Sequence, residues 1–598
     1  MSEGRHSFNL SAWAVGHPAV ILFLIIVTTI AGGIAYLNLG RAEDPTFTIK
    51  TMVVQVVWPG ARADEMQRLV AEPLEKRLQE LPQLDFVRTF SRPNVTVLSV
   101  QLRDRLRGRD VADTWYQVRK KLTDSRNELP LGVIGPTYDD EYGDVYSAVY
   151  MLTGEGASRA DLKRYGEAMR LALLRVPSVA KVALIGDIPQ RIFVEISHRK
   201  LATLGVSPQV IFDAIARQNA VVASGSIDTA ADRVEVRVTG AFDGVAAIRA
   251  VPIEAGGRVF QLGDIAEVVR GYEDPPAYIV EHEGKSALGV AVAIAENANV
   301  LDVGRNLEAA VAAFRETLPT GIVIDQVSNQ PNVVAKAVDQ FLRSFVEALL
   351  IVLAVSFVSL GWRTGIVVAL SVPLVLAIVF VVMQVMGLNL DRITLGALII
   401  ALGLLVDDAI IAIEMMVVKM EAGFDRIRAA TAAWESTAFP MLTGTLVTAA
   451  GFLPVGFAQS TAGEYAGNIF WVVAIALVVS WVVAVLFTPY LGMRLLPNVQ
   501  RHVASHDALY DTRLYRALRL GVTWSLAHRW RVIAITVAAF AASGVGMLFV
   551  QQQFFPTTSR PELFIETRMP EGTAIAVTRQ AAEKAAALLK GDDDVVTY

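Results

Sequence analysis

Two stretches of the chain, Phe341–Leu360 and Gly365–Met386, run for about twenty residues each with almost no charge. A helix of that length matches the roughly 30 Å hydrocarbon core of a bilayer. Seven segments of this kind are read along the chain, at 14–37, 338–360, 365–386, 390–418, 437–457, 465–496 and 530–550. The first follows Arg5 and His6, as a signal peptide would. Its apolar run is longer than a signal core of about 7–15 residues, and Tyr36-Leu37-Asn38 makes a poor small-residue cleavage site. It reads as an anchor.

Charged residues make up 19% of the chain, against about a quarter in soluble domains, yet residues 60–130 are rich in Arg, Asp and Glu. The average therefore hides two solvents, lipid and water. A net charge of −5 leaves no nucleic-acid footprint, so no nucleic-acid partner is expected. The absence of cysteine excludes disulfides, thiol catalysis and Cys-ligated metal sites. No P-loop, nucleophile elbow, HExxH or dinucleotide fingerprint is present. The chain thus reads as a transporter rather than an enzyme, coupled to ions rather than ATP, with no cofactor expected.

Lys and Arg in short loops set orientation. Arg363 follows the second span, and Lys419, Arg426 and Arg428 follow the fourth. Arg494, Arg501, Arg513, Arg516, Arg519, Arg529 and Arg531 follow the sixth. All fall on the side of Arg5, while the alternate loops carry only Arg392. The N-terminus is therefore expected in the cytoplasm, with residues 1–37 forming that terminus and the first span. Residues 38–337 then lie outside the cytoplasm, 338–497 hold spans two to six, and 530–550 is the seventh. Between the last two, 498–529 is a cytoplasmic connector. In it Leu514, Leu518, Val522 and Leu526 recur every four residues among Arg513, Arg516 and Arg519. That pattern suits a helix lying on an anionic leaflet; a soluble connector helix is the alternative.

The external region alternates strand and helix patterns. Thr51–Val57 reads as a strand ending at Trp58-Pro59-Gly60, and 61–80 as a helix with Met66, Leu69, Val70, Leu74 and Leu78 in one stripe. Strands near 84–91 and 95–102 and a helix over 109–127 follow. A similar series starts at Tyr146–Leu152, with a helix near 159–175 and strands near 179–185 and 191–196. A further strand, helix and strand lie at 287–294, 300–315 and 321–326. Residues 182–273 read as an inserted, strand-rich module. The expected fold is a helical membrane bundle plus an α+β domain of ferredoxin-like units carrying that insertion.

The chain also matches itself. His17 and His528, Pro45 and Pro556, and Pro59 and Pro570 are each 511 residues apart, each pair in the same pattern of span, strand and helix. Residues 551–598 read as the start of a second copy, whose helix carries Ala582, Ala585, Ala586 and Leu589 on one side. The parent is expected to be about twice 511 residues long, and this part alone is expected to insert without pumping. Internal duplication is common in transporters.

Within the fourth span two acids stand side by side, Asp407 and Asp408, about a third of the way from its cytoplasmic end. Each charge at mid-membrane costs ~2.5–3.5 kcal/mol on insertion scales. Ser or Thr would build a polar network at less cost, so the pair points to proton transfer; a purely structural role in a wet cleft is the alternative. Neighbouring helix positions project about 100° apart, so both can face one crevice and titrate as a unit. Glu414, nearer the end, reads as structural. Pro373, Pro440 and Pro454 are expected to kink helices, and Gly396 and Gly403 to permit close packing.

The run Gly403-Leu404-Leu405-Val406-Asp407-Asp408-Ala409-Ile410 resembles the fourth-span proton-relay motif of the resistance–nodulation–division superfamily, in its bacterial multidrug exporters of hydrophobic and amphiphilic compounds. Trp58-Pro59-Gly60-Ala61, Glu72-Pro73-Leu74-Glu75 and Gln218-Asn219 support it, as do Phe555-Pro556, Arg560-Pro561-Glu562-Leu563 and Met569-Pro570-Glu571-Gly572. The resemblance implies the permease of a tripartite pump in the bacterial inner membrane, a homotrimer with a periplasmic porter domain and docking module. A periplasmic adaptor protein and an outer-membrane channel are the implied partners. The implied activity is proton-driven export of small amphiphilic substrates. Asp407 and Asp408 would bind the proton, their basic partner lying in a later span beyond residue 598. A heavy-metal exporter of the same superfamily would call for Met or His clusters, and 38–337 has none evident. A non-transport relative acting in secretion or lipid handling would share the fold.

Overall fold

Alternation of buried and half-exposed residues makes Thr51–Val57 a strand, β1, with Met52, Val54 and Val56 on its inner face. It joins β2 (Leu84–Arg92), β3 (Val95–Leu102) and β4 (Ile134–Asp139) in an antiparallel sheet of order β2-β3-β1-β4. One face is covered by the helical segments spanning 63–79 and by Arg109–Asp124, whose Met66, Val70, Leu74 and Leu78 meet Val111, Trp115, Val118 and Leu122. The helix-strand order is the split β-α-β-β-α-β unit. Leu69, expected on the stripe, is instead 46% exposed. Residues Met66–Ala71 form a π-helical turn, and i→i+5 bonding widens the turn so that i+4 positions align and i+3 positions swing out.

The structure, a computed structural model, describes residues 9–598 except 46, 220, 230, 240, 256, 296–297, 497–512 and 551–561. Arg5, Arg501, Pro556 and the 555–561 match therefore lie outside the described residues.

A second sheet repeats the first. β5 (Tyr146–Gly154), β6 (Val179–Ile185), β7 (Leu288–Ile294) and β8 (Ile322–Asn329) lie in the order β8-β5-β7-β6, again antiparallel, with helices Arg159–Leu173 and Val300–Arg315 on one face. The inserted segment separates β6 from β7. Since Val179–Ile185 is a strand of the second sheet, the insertion begins after Ile185 rather than at 182. Gln190–Ile196 pairs with Ala266–Tyr272, which closes the module on itself around Ile211, Val251, Ile253 and Leu262. From the module a hairpin, Val221–Asp228 and Arg233–Thr239, pairs only internally among the described residues.

The apolar segments form α1 (Pro18–Asn38), α2 (Gln330–Leu360), α3 (Trp362–Val385), α4 (Arg392–Glu421), α5 (Arg426–Gly451) and α6 (Asn468–Leu495), followed by α7 (Arg513–Ala527) and α8 (Arg529–Met547). Among the described residues six helices are long and apolar enough to cross a membrane, and α5 falls below that measure. It begins at Arg426, not near 437, and carries Thr431, Glu435, Ser436, Thr437, Thr443, Thr445 and Thr448 among small residues. Ala429, Ala430, Ala433, Ala438 and Ala449 are nonetheless buried against the bundle. Helix α7 exposes Leu518, Val522 and Leu526 of the row read from the sequence, and the side chain of Leu514 lies outside the described residues. β8 passes into α2 with no intervening residue.

The 511-residue repeat has a local structure. His17 Nδ1 lies 2.9 Å from the Trp13 carbonyl with the rings stacked at 5.1 Å, and His528 Nδ1 lies 3.1 Å from the Trp524 carbonyl with rings at 5.2 Å. The two tryptophans share the same offset, which the proline and histidine matches alone do not disclose. Close helix contact falls elsewhere than expected. Gly396 and Gly403 have open space where a Cβ would sit, whereas Gly32 lies against Ala377 and Gly492 against Met416 and Ile413.

Candidate functional site

Helix α4 has 30 residues, and Asp407 and Asp408 occupy its sixteenth and seventeenth positions. At 1.5 Å per residue they sit roughly 22 Å from its start, at the middle of the rod rather than a third from one end. Asp391 caps the helix, accepting from Thr394 N at 2.8 Å, and this cap fixes where the rod begins.

Both acids line one cleft of about 670 Å³ walled by α2, α4 and α5, with Leu477 of α6 beneath. Asp407 is exposed to it, while Asp408 is only 7% exposed. Gly403, one turn before Asp407, lines the same cleft and leaves its wall open. Glu414 is exposed and is not part of the lining. Pro440, within α5, is part of it. Pro373 lies within α3, and Pro454 instead opens the short helix Leu453–Gly456.

Ser356, Ser359, Ser436, Thr437, Thr445 and Thr448 also line the cleft. Each hydroxyl donates to a carbonyl three or four residues back on its own helix. Their hydroxyls are thus largely committed to their own helices. Thr445 Oγ1 is 3.5 Å from both Asp408 oxygens but donates to Met441 O at 2.9 Å, so Asp408 receives a contact at the limit of hydrogen bonding. Ser480 of α6 is buried and donates to Leu405 O at 2.8 Å, which pins α6 to α4 one turn before Asp408. Among the described residues no Lys, Arg or His lines the cleft. The acid pair therefore sits in a cleft of apolar and hydroxyl side chains with no compensating cation among the described lining residues.

The sequence reading missed these hydroxyls. Their signal is present as Ser and Thr recurring in otherwise apolar helices, but only the packing of α2 and α5 against α4 shows which of them reach the acids. Among the described residues no group of three His, Cys, Asp or Glu is placed to hold a metal.

The AcrB/AcrD/AcrF family model matches residues 10–598. The toluene efflux pump membrane transporter TtgE of Pseudomonas putida is 24% identical over 592 residues, covering 94% of this chain and 55% of its own. The multidrug/solvent efflux pump membrane transporter MepB, also of Pseudomonas putida, is 24% identical over 617 residues, covering 98% of this chain and 58% of its own. The chain thus spans a little over half the length of these curated relatives.

Proposed function

Because the chain belongs to the AcrB/AcrD/AcrF family, we propose that it works as the permease of a proton-driven exporter of hydrophobic or amphiphilic compounds. The carrying observation is the acid pair at the middle of a membrane helix, in a cleft whose described lining holds no cation. Asp407 and Asp408 bind a proton there, neutralise the buried site and release it on the other side of the membrane. One translocated charge yields ~2.3 kcal/mol per 100 mV of membrane potential, comparable with the cost of exposing or burying one such acid.

The relatives' names, which speak of toluene, solvents and multiple drugs, support apolar substrates. The two β-α-β-β-α-β units fit a periplasmic porter domain, and the module after Ile185 fits a docking element within it. In this reading α5 crosses the membrane as a seventh span, its small hydroxylated face serving the cleft. The N-terminus and α7 are cytoplasmic, α7 lying on the inner-membrane surface. The protein acts as a homotrimer with an adaptor protein and an outer-membrane channel, and the 221–239 hairpin reaches a neighbouring subunit.

Dye efflux from energised cells tests the reading, using the product of the complete reading frame. Asp407→Asn and Asp408→Asn should each abolish efflux at unchanged expression. Efflux near the wild-type rate from either variant would reduce the pair to packing.

A further inference from the structure

A second cleft, of about 350 Å³, lies beside the root of the inserted module. The helix Arg159–Leu173 supplies one wall. The rest comes from 186–190, where the chain leaves the second sheet, and from Tyr272 and 286–288, where it returns. The two crossings are bonded to each other, Glu273 N donating to Pro189 O at 2.9 Å. Gly186 fixes the bend, with a φ of +86° and room for no side chain, since a Cβ there would lie 2.8 Å from Val280. Clefts of ~300–1,000 Å³ are the usual size for small ligands. Leu162, Ile188, Ala287 and Leu288 give this one a buried apolar surface.

Its charged lining is Arg159, Lys163, Arg164, Glu167 and Asp187. Both carboxylates are already matched. Asp187 accepts from Lys163 at 2.6 Å, which ties the helix to the outgoing crossing, and Glu167 accepts from Arg170 at 2.7 Å. Arg164 pairs with Asp161 at 3.1 Å. Arg159 is left over: it is half-buried, and its side chain has no hydrogen bond or ion pair among the described residues. The Ser286 hydroxyl is likewise uncommitted among them. Tyr272 accepts from Gln190 at 3.5 Å, which leaves its phenolic proton available to donate. The cleft thus offers uncommitted donors and no uncommitted carboxylate. A guanidinium fits the two oxygens of a carboxylate as a fork, and such charge-assisted bonds are the strong ones. The apolar surface beside it suits a ring or a short chain.

We propose that this cleft binds a small organic anion with an apolar body, an aryl or alkyl carboxylate. Arg159 holds the carboxylate, and Tyr272 and Ser286 supply hydroxyl donors from the returning crossing. The occupant bridges the helix of the second sheet and the root of the module. This site is separate from the membrane acids, and its occupancy does not depend on whether they carry a proton.

The chain has no cysteine, so a single thiol can report occupancy in membranes holding the full chain. Ala160 is exposed and lines the cleft. Alkylation of Ala160→Cys by a maleimide is timed with millimolar 2-naphthoate or with the uncharged 2-naphthalenemethanol. Leu131→Cys, at a position 98% exposed near the first sheet, is the reference thiol. The naphthoate should slow alkylation at 160 and leave 131 unchanged, and the alcohol should slow neither. Adding Arg159→Gln should raise the half-protecting concentration about 10-fold or more, the loss expected for a hydrogen bond to a charged group. Absence of protection at 160, equal protection by the alcohol, or protection that Arg159→Gln leaves unchanged would each overturn the proposal. None of these results bears on the proton reading, which is tested by efflux.

Discussion

Gly32 and Gly33 are neighbours on α1, yet the structure assigns them opposite responses to the same substitution. A Cβ on Gly32 would lie 2.4 Å from Ala377 Cβ, 2.5 Å from its Cα and 2.6 Å from its carbonyl oxygen on α3. Carbon atoms pack best at about 3.5–4.0 Å, so α1 and α3 must part by more than ~1 Å. The obstacle is backbone and a one-carbon side chain, which cannot rotate away. Overpacking of this kind costs ~1–3 kcal/mol, and helix pairing in lipid depends on just such small-residue contacts. A Cβ on Gly33 meets nothing within 4 Å. Both changes gain the same helix propensity, up to ~1 kcal/mol, so it cancels between them. Gly32→Ala should therefore be less stable than Gly33→Ala by ~1–3 kcal/mol. Unfolding in mixed micelles, followed by tryptophan fluorescence, measures the difference. Equal stability, or a lower value for Gly33→Ala, would refute the close approach of α1 and α3.

Three further outcomes are expected. Leu74→Ala, fully buried in the first sheet's core, should cost ~2–5 kcal/mol in detergent-solubilised protein, while Leu69→Ala, across the π turn, should stay within ~0.5 kcal/mol. The hydrogen bond from Arg119 holds the Asp140 carboxyl below the usual carboxylate range, so this pair's contribution is full above the unfolded pKa near ~3.9 and is lost as the pH falls through the lower folded value. Arg119→Gln should thus lower thermal stability slightly at pH 7, by less than ~1 kcal/mol for a part-exposed pair, and match wild type once the carboxyl is protonated in both folded and unfolded states. A single cysteine at Gly225 or Asp228 on the hairpin should yield crosslinked dimers on oxidation in membranes; monomers alone would count against a hairpin shared between subunits.

What the sequence disclosed and what it withheld have physical causes. Strand alternation and the 66, 70, 74, 78 spacing are local, and they located both α+β units. Leu69 was misplaced because a π turn is a matter of hydrogen-bond register, which composition does not record. The insertion boundary was blurred because 179–185 and 190–196 carry the same strand pattern. Their partners, 288–294 and 266–272, lie far along the chain. Helix α5 was trimmed at its start because a run of Ala and Thr is weakly apolar even when buried. The tight glycines depend on which neighbour faces them, so Gly396 and Gly403 drew notice while Gly32 and Gly492 did not. The acid pair stood out because two adjacent carboxylates in an apolar run are visible in the sequence itself, whereas the hydroxyls around it and the Lys50–Glu464 pair need the fold to bring them together.

The central claim is that Asp407 and Asp408 carry the proton that drives export. Proteoliposomes holding the product of the complete reading frame, with a pH dye trapped inside and an imposed pH gradient, measure it most directly. Adding an apolar substrate should accelerate proton flux through the wild type, and Asp408→Asn should abolish that stimulated flux while leaving the basal leak unchanged. Substrate-stimulated proton flux that persists in the Asp407→Asn, Asp408→Asn double variant would contradict the account.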